Sequence, residues 1–99
     1  MFEKIRDKMR ELVRSLDYVM TIHGEEEMEN DELSILDVEN VILTGEITER
    51  QRDDQTAEWK YLVKGKTVDD SEVTVVAKLG ATGKLIFITV FREGDEYEN

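Results

Sequence analysis

Apolar side chains in residues 2–16 fall at Phe2, Ile5, Met9, Leu12, Val13 and Leu16, three and four positions apart, with Glu, Lys, Arg and Asp between them. That period winds one apolar stripe along an α-helix. A second, shorter helix is predicted over roughly 22–30. Thr21 suits its N-cap, Ile22 and Met28 can face inward, and glutamates in its first turns complement the helix dipole. Asn30-Asp31-Glu32 reads as a turn, and Ser34-Ile35-Leu36-Asp37 has the capping-box form. A third helix follows over about 35–43, with Ile35, Val38, Val41 and Ile42 on one stripe and Gly45 as its stop.

Beyond Gly45 the period drops from 3.6 to two. Glu46 to Gln51 forms a first strand, and the polar stretch 52–58 a connection. Trp59, Tyr61 and Val63 then alternate with Lys60, Leu62 and Lys64, which gives one greasier and one more cationic strand face. Val73 to Leu79 and Leu85 to Arg92 complete the set, joined by a Gly80-Ala81-Thr82-Gly83-Lys84 hairpin. The last run is apolar on both parities, which suits an internal strand. The chain therefore reads as one α+β domain over 1–99. Three N-terminal helices (about 2–43) pack on one face of a four-stranded antiparallel sheet (about 46–92), and an acidic tail, 93–99, is expected to fray.

Composition narrows the chemistry. The 99 residues carry 24 acidic and 13 basic side chains, a net charge of −11, and no cysteine. Disulfides, thiolate catalysis and cysteine-ligated zinc are excluded within the chain. The N-terminus lacks the apolar core of a signal peptide and no apolar run approaches membrane-spanning length, so a cytoplasmic protein without membrane attachment is expected. The charge is uneven: residues 21–49 hold ten acids and no Lys or Arg, whereas 50–92 hold eight basic and six acidic residues. Net acidity argues against sequence-blind nucleic-acid binding, while a local cationic site still permits it.

Chemistry has few carriers. His23 is the only histidine and the first candidate for a general acid or base. Its spacing to Glu26 and Glu27 suits a shared metal, but a stable site needs three or four ligands, so neither metal nor cofactor is assigned. Lys60, Lys64, Lys78 and Arg92 lie on strands or at strand ends, where converging cations can hold a phosphodiester and stabilise the charge that develops on it. Tyr61, like Trp59, is a candidate for stacking on a base. Glu25, Glu26 and Glu27 offer a docking face for a basic protein partner. Each of these groups also has a plain reading, as a solvated face or as core.

The order of landmarks resembles a family of small bacterial proteins, domain-of-unknown-function family 4258. The shared marks are His23 with Met28, Asp37-Val38, Gly45, Tyr61-Leu62-Val63-Lys64-Gly65, the valine-rich run from Val73 to Ala77, and Ile88-Thr89-Val90-Phe91. The resemblance implies a fold similar to the RelE and MqsR toxins and metal-independent cleavage of messenger RNA. The resemblance makes His23 a family landmark without making it a base. The leading expectation takes His23 as general acid or base, Lys60, Lys78 and Arg92 as phosphate binders, and Tyr61 and Lys64 as substrate contacts. The resemblance further implies a toxin–antitoxin pairing with a zinc-finger antitoxin of the YgiT type. Glu27 stands where many members carry Arg, and the net acidity is unlike RelE-type nucleases. The competing expectation is a non-catalytic module that docks a basic partner through its acidic helices, and the oligomeric state is left open.

Overall fold

The computed structural model describes residues 1–92; the tail expected to fray lies outside them. Helix α1 (Glu3–Arg14) leads through a short strand β1 (Tyr18–Met20) to helices α2 (Ile22–Asn30) and α3 (Ile35–Thr44). Strands β2 (Glu46–Arg52), β3 (Trp59–Lys66), β4 (Glu72–Leu79) and β5 (Leu85–Arg92) follow. The class is α+β with three helices, as expected. The sheet, however, has five strands in the order β1-β5-β4-β3-β2, and it is mixed. β2 through β5 pair antiparallel with their sequence neighbours, while β1 lies parallel to β5, Tyr18 opposite Leu85 and Met20 opposite Phe87. Three residues are too few to display a period of two, so β1 escapes a reading based on alternation. Its ladder continues at both ends, through Leu85 N–H to Asp17 O and Thr21 N–H to Phe87 O, each at 3.0 Å.

One sheet face carries the core. Tyr61 and Val63 of β3, Val73, Val75 and Ala77 of β4, and Leu85, Phe87 and Val90 of β5 cluster with residues of all three helices, led by Met9, Met28, Val38 and Ile42. The step from Phe87 to Val90 breaks strict alternation. Val76 pairs with Thr89 and Ala77 with Phe87, which leaves Ile88 as a bulge that shifts the parity of everything after it. The bulge is also where α2 attaches: the Thr21 hydroxyl donates to Ile88 O at 2.7 Å and accepts from Gly24 N–H at 2.9 Å. Gly24 sits so close to β5 that a Cβ there would lie 3.1 Å from Ile88 O and 3.2 Å from Phe87 O.

The helix ends follow the sequence with two differences. Leu16, expected on the α1 stripe, lies past the end of the helix with φ +60° and is exposed. Gly45 ends α3 in extended backbone, not the left-handed turn that usually selects glycine. Space is what demands glycine there. A Cβ on Gly45 would lie 2.5 Å from both Lys64 O and Val41 O, and one on Gly65 would lie 2.9 Å from Gly45 Cα. Two glycines are thus packed backbone to backbone where α3 meets β3. Arg10 of α1 closes the same end by donating to Ile42 O (3.1 Å) and Gly45 O (2.7 Å), carbonyls that the helix leaves without a partner.

The Ser34–Asp37 capping box is present in full, and Asp37 also accepts from Val68 N–H at 3.0 Å, tying α3 to the β3–β4 turn. The Ser34 N–H, with Val68 N–H adding to it against partial burial, holds the Asp37 carboxyl below its usual range. A depressed folded pKa contributes stability above the unfolded carboxylate range, and that contribution is lost as pH falls through the folded value. Asp37→Ala is expected to cost about 1–2 kcal/mol at neutral pH and much less near pH 2. Urea unfolding of both proteins at the two pH values measures this, and an equal gap at both would refute the assignment.

Candidate anion-binding sheet face

Strand alternation sends Lys60, Leu62 and Lys64 of β3 and Thr74, Val76 and Lys78 of β4 to the face opposite the helices, since their neighbours Tyr61, Val63, Val73, Val75 and Ala77 belong to the core. Register puts these residues in rows. Leu62, Val76 and Thr89, all buried, form one row; exposed Lys64, buried Thr74 and half-buried Phe91 form the next. Lys60 and Lys78 flank the Tyr61–Ala77 pair on the other side, and Lys66, ion-paired with Glu72, follows beyond Lys64, so four lysines share one face across two adjacent strands. Adjacent strands lie about 4.8 Å apart, close enough for these ammonium groups to act on one anionic chain. The lysine end also borders the β2–β3 connection. Lys78 Nζ donates to Glu58 Oε1 at 3.2 Å, and the Gln55 N–H holds the Asp53 carboxyl below its usual range, with the charges of Lys60 and Lys78 adding to that. A cleft of about 430 Å³ opens there, lined by Gln51, Arg52, Asp53, Asp54, Gln55 and Lys60.

Two sequence candidates fall elsewhere. Tyr61 is buried against the helices, its ring edge-on to Phe2 with centroids 6.0 Å apart, so it is a core aromatic and not a stacking platform on the lysine-bearing face. Arg92 is turned by the Ile88 bulge to the helix side, where Nε and Nη2 donate to Asp31 O at 3.1 and 2.8 Å. It closes the C-terminus of α2. The favourable cation-to-carbonyl contact at a helix end accounts for it without a phosphate.

His23 is exposed on the first turn of α2, beside β5, and its imidazole has no hydrogen-bond partner among the described residues. Sheet order leaves β5 and β4 between that helix and Lys60 and Lys64 on β3. Glu25 and Glu26 are exposed and Glu27 half-buried on the same helix, none of them in an ion pair among the described residues. The rest of the acidic segment is partly spent on structure. Asp37 caps α3, Glu46 pairs with Arg6 at 3.1 Å, and Glu39 accepts from the Tyr18 hydroxyl. Burial, with the Glu39 hydrogen bond second, pushes the Tyr18 phenol up to about 12. Among the described residues no group of three or more His, Asp and Glu side chains is arranged to hold a metal, and no helix is long and apolar enough to cross a membrane.

An α+β domain with its helices on one face and a group of lysines on the other is the class that fold and site define. Residues 20–92 match the family described as domain of unknown function DUF4258, and the chain belongs to that family. No curated protein matches the chain. No solved structure matches it either.

Proposed function

We propose that this DUF4258 protein binds single-stranded RNA along the lysine-bearing face of its sheet and cleaves it without a metal, as the toxin of a toxin–antitoxin pair. The observation that carries the reading is the common face shared by Lys60, Lys64 and Lys78, a local cationic surface in a chain of net charge −11. In this reading His23 takes the proton of a 2′-hydroxyl, the freed oxygen attacks phosphorus, and the 5′-oxygen leaves with a proton from solvent. The lysines, with β5 and β4 between His23 and Lys60 and Lys64, hold phosphates farther along the same RNA strand. Membership of DUF4258, a family whose members resemble RelE- and MqsR-type toxins, is the ground for reading the substrate as messenger RNA in the cytoplasm and the partner as a YgiT-type zinc-finger antitoxin.

Lys60→Gln, Lys64→Gln and Lys78→Gln together are expected to weaken binding of a labelled single-stranded RNA by roughly 10²-fold at low salt, equivalent to about 2.7 kcal/mol. His23→Ala is expected to abolish cleavage and leave binding intact. Equal RNA affinity for the triple variant would sink the proposal. The exposed Glu25 and Glu26, with Glu27 beside them, favour a second reading, a non-catalytic module that docks a basic protein. It holds if RNA goes unbound while charge reversal at the three glutamates breaks partner capture.

A further inference from the structure

The bulge that places Ile47 opposite Val63 and Glu49 opposite Leu62 sets the remainder of β2 against β3, so that Arg50 pairs with Tyr61 and Arg52 with Trp59. Arg50, Arg52 and Trp59 therefore share the helix side of the sheet, at its β2 margin. The Arg50 guanidinium carbon lies 4.0 Å and that of Arg52 5.1 Å from the Trp59 ring centroid. Trp59 is 37% exposed and both arginines are exposed. Among the described residues, no carboxylate lies within ion-pair distance of either guanidinium. Some other cations do have carboxylate partners: Arg6 pairs with Asp7 and Glu46, Lys66 with Glu72, and Lys78 with Glu58. Two exposed guanidiniums held on one indole present their N–H donors together to an anion from outside.

We infer that Arg50, Trp59 and Arg52 form a second RNA-contact site, a clamp for the phosphates of one extended strand. A guanidinium resting on an aromatic ring keeps its planar fork of N–H donors for bidentate contact with phosphate, and the contact with the ring restricts its rotamers in advance. Two residues apart on a strand, the arginines recur at about 6.8 Å, so they meet successive groups of an extended chain. Arg52 and Lys60 line one cleft at the hairpin tip together with Asp53 and Asp54, and this cleft joins the arginine pair to the lysine-bearing face read above as an RNA surface, which makes RNA the occupant. A strand lying on Lys60, Lys64 and Lys78 can thus continue around the β2 margin to Arg52 and Arg50. The inference rests on the RNA reading of the lysine-bearing face and extends it to the other side of the β2–β3 hairpin.

Trp59 is the only tryptophan, so its emission reports on the site directly. Titration with single-stranded RNA is expected to change that emission. Arg50→Gln with Arg52→Gln is expected to lower affinity roughly tenfold and to reduce the slope of log K against log salt by about 1.4, the share of two phosphates on a single strand. Arg50→Lys with Arg52→Lys should restore the slope but not all of the affinity, as loss of bidentate contact requires. Unchanged affinity and slope in the glutamine variant would overturn the clamp, as would binding of poly-glutamate that the variant loses while RNA binding is unchanged. The triple lysine variant separates the two proposals. If it loses RNA and the arginine variant does not, only the clamp falls; in the reverse case only the lysine-face reading falls.

Discussion

Phe87→Ala is expected to cost about 3–5 kcal/mol, the range for emptying a buried aromatic site, which is a large part of the total stability of a domain this size. Phe87 is fully buried in β5, its ring 5.0 Å from that of Tyr18, in a core that all three helices share. It also sits where three connections meet. It pairs with Met20 of β1 and Ala77 of β4, and its carbonyl accepts from Thr21 N–H at the start of α2. The cavity therefore opens between the parallel and antiparallel parts of the sheet, where neither neighbour can close in without moving a ladder. Denaturant unfolding should show a lower midpoint with an unchanged slope. A loss below 1 kcal/mol would mean that Phe87 is not the keystone of this core.

Gly65→Ala is expected to cost about 3 kcal/mol, far more than the usual effect of adding one methyl group. The new Cβ would lie 2.6 Å from Val41 O and 2.9 Å from Gly45 Cα, all backbone, so relief requires α3 to move away from β3. Gly45→Ala should cost a similar amount, and the double variant less than the sum, because the first substitution already opens the gap the second needs. Additive losses in thermal unfolding would show that the two glycines do not share one contact.

Much of the helical half is legible because its signals are local. Thr21, and Ser34 with Asp37, each satisfy backbone donors within three or four residues, and the apolar spacing of Met9, Leu12 and Val13 fixes the buried side of α1. The sheet depends on information a single strand does not carry. Alternation within β3 correctly separates Lys60 and Lys64 from Val63, but it does not tell which parity meets the helices. Tyr61 was eligible for the substrate face until packing against Phe2 assigned it to the core. The bulges at Thr48 and Ile88 are invisible in the period, yet they decide that Arg50 and Arg52 join Trp59 and that Arg92 turns to α2. The Arg50-Gln51-Arg52 alternation beside a lone tryptophan was the one signal that could have exposed the first of these. Separation of His23 from the lysines follows from strand order, which no local pattern encodes.

The parallel pairing of β1 with β5 has a consequence for how the protein is made. Among the described residues, Tyr18 to Met20 find their only strand partner in Leu85 to Phe87, and the Thr21 hydroxyl bonds to Ile88 across a separation of 67 positions. On a ribosome the three helices emerge first, with apolar faces and nothing to cover them. Early burial is limited to helix against helix until the final strand arrives. Closing so long a loop is slow and yields little until both sides are present, so the domain is expected to fold only after translation has passed Arg92. Nascent chains stalled before that point should be degraded quickly by a protease that spares the finished protein, and the transition should come in one step when β5 clears the exit tunnel.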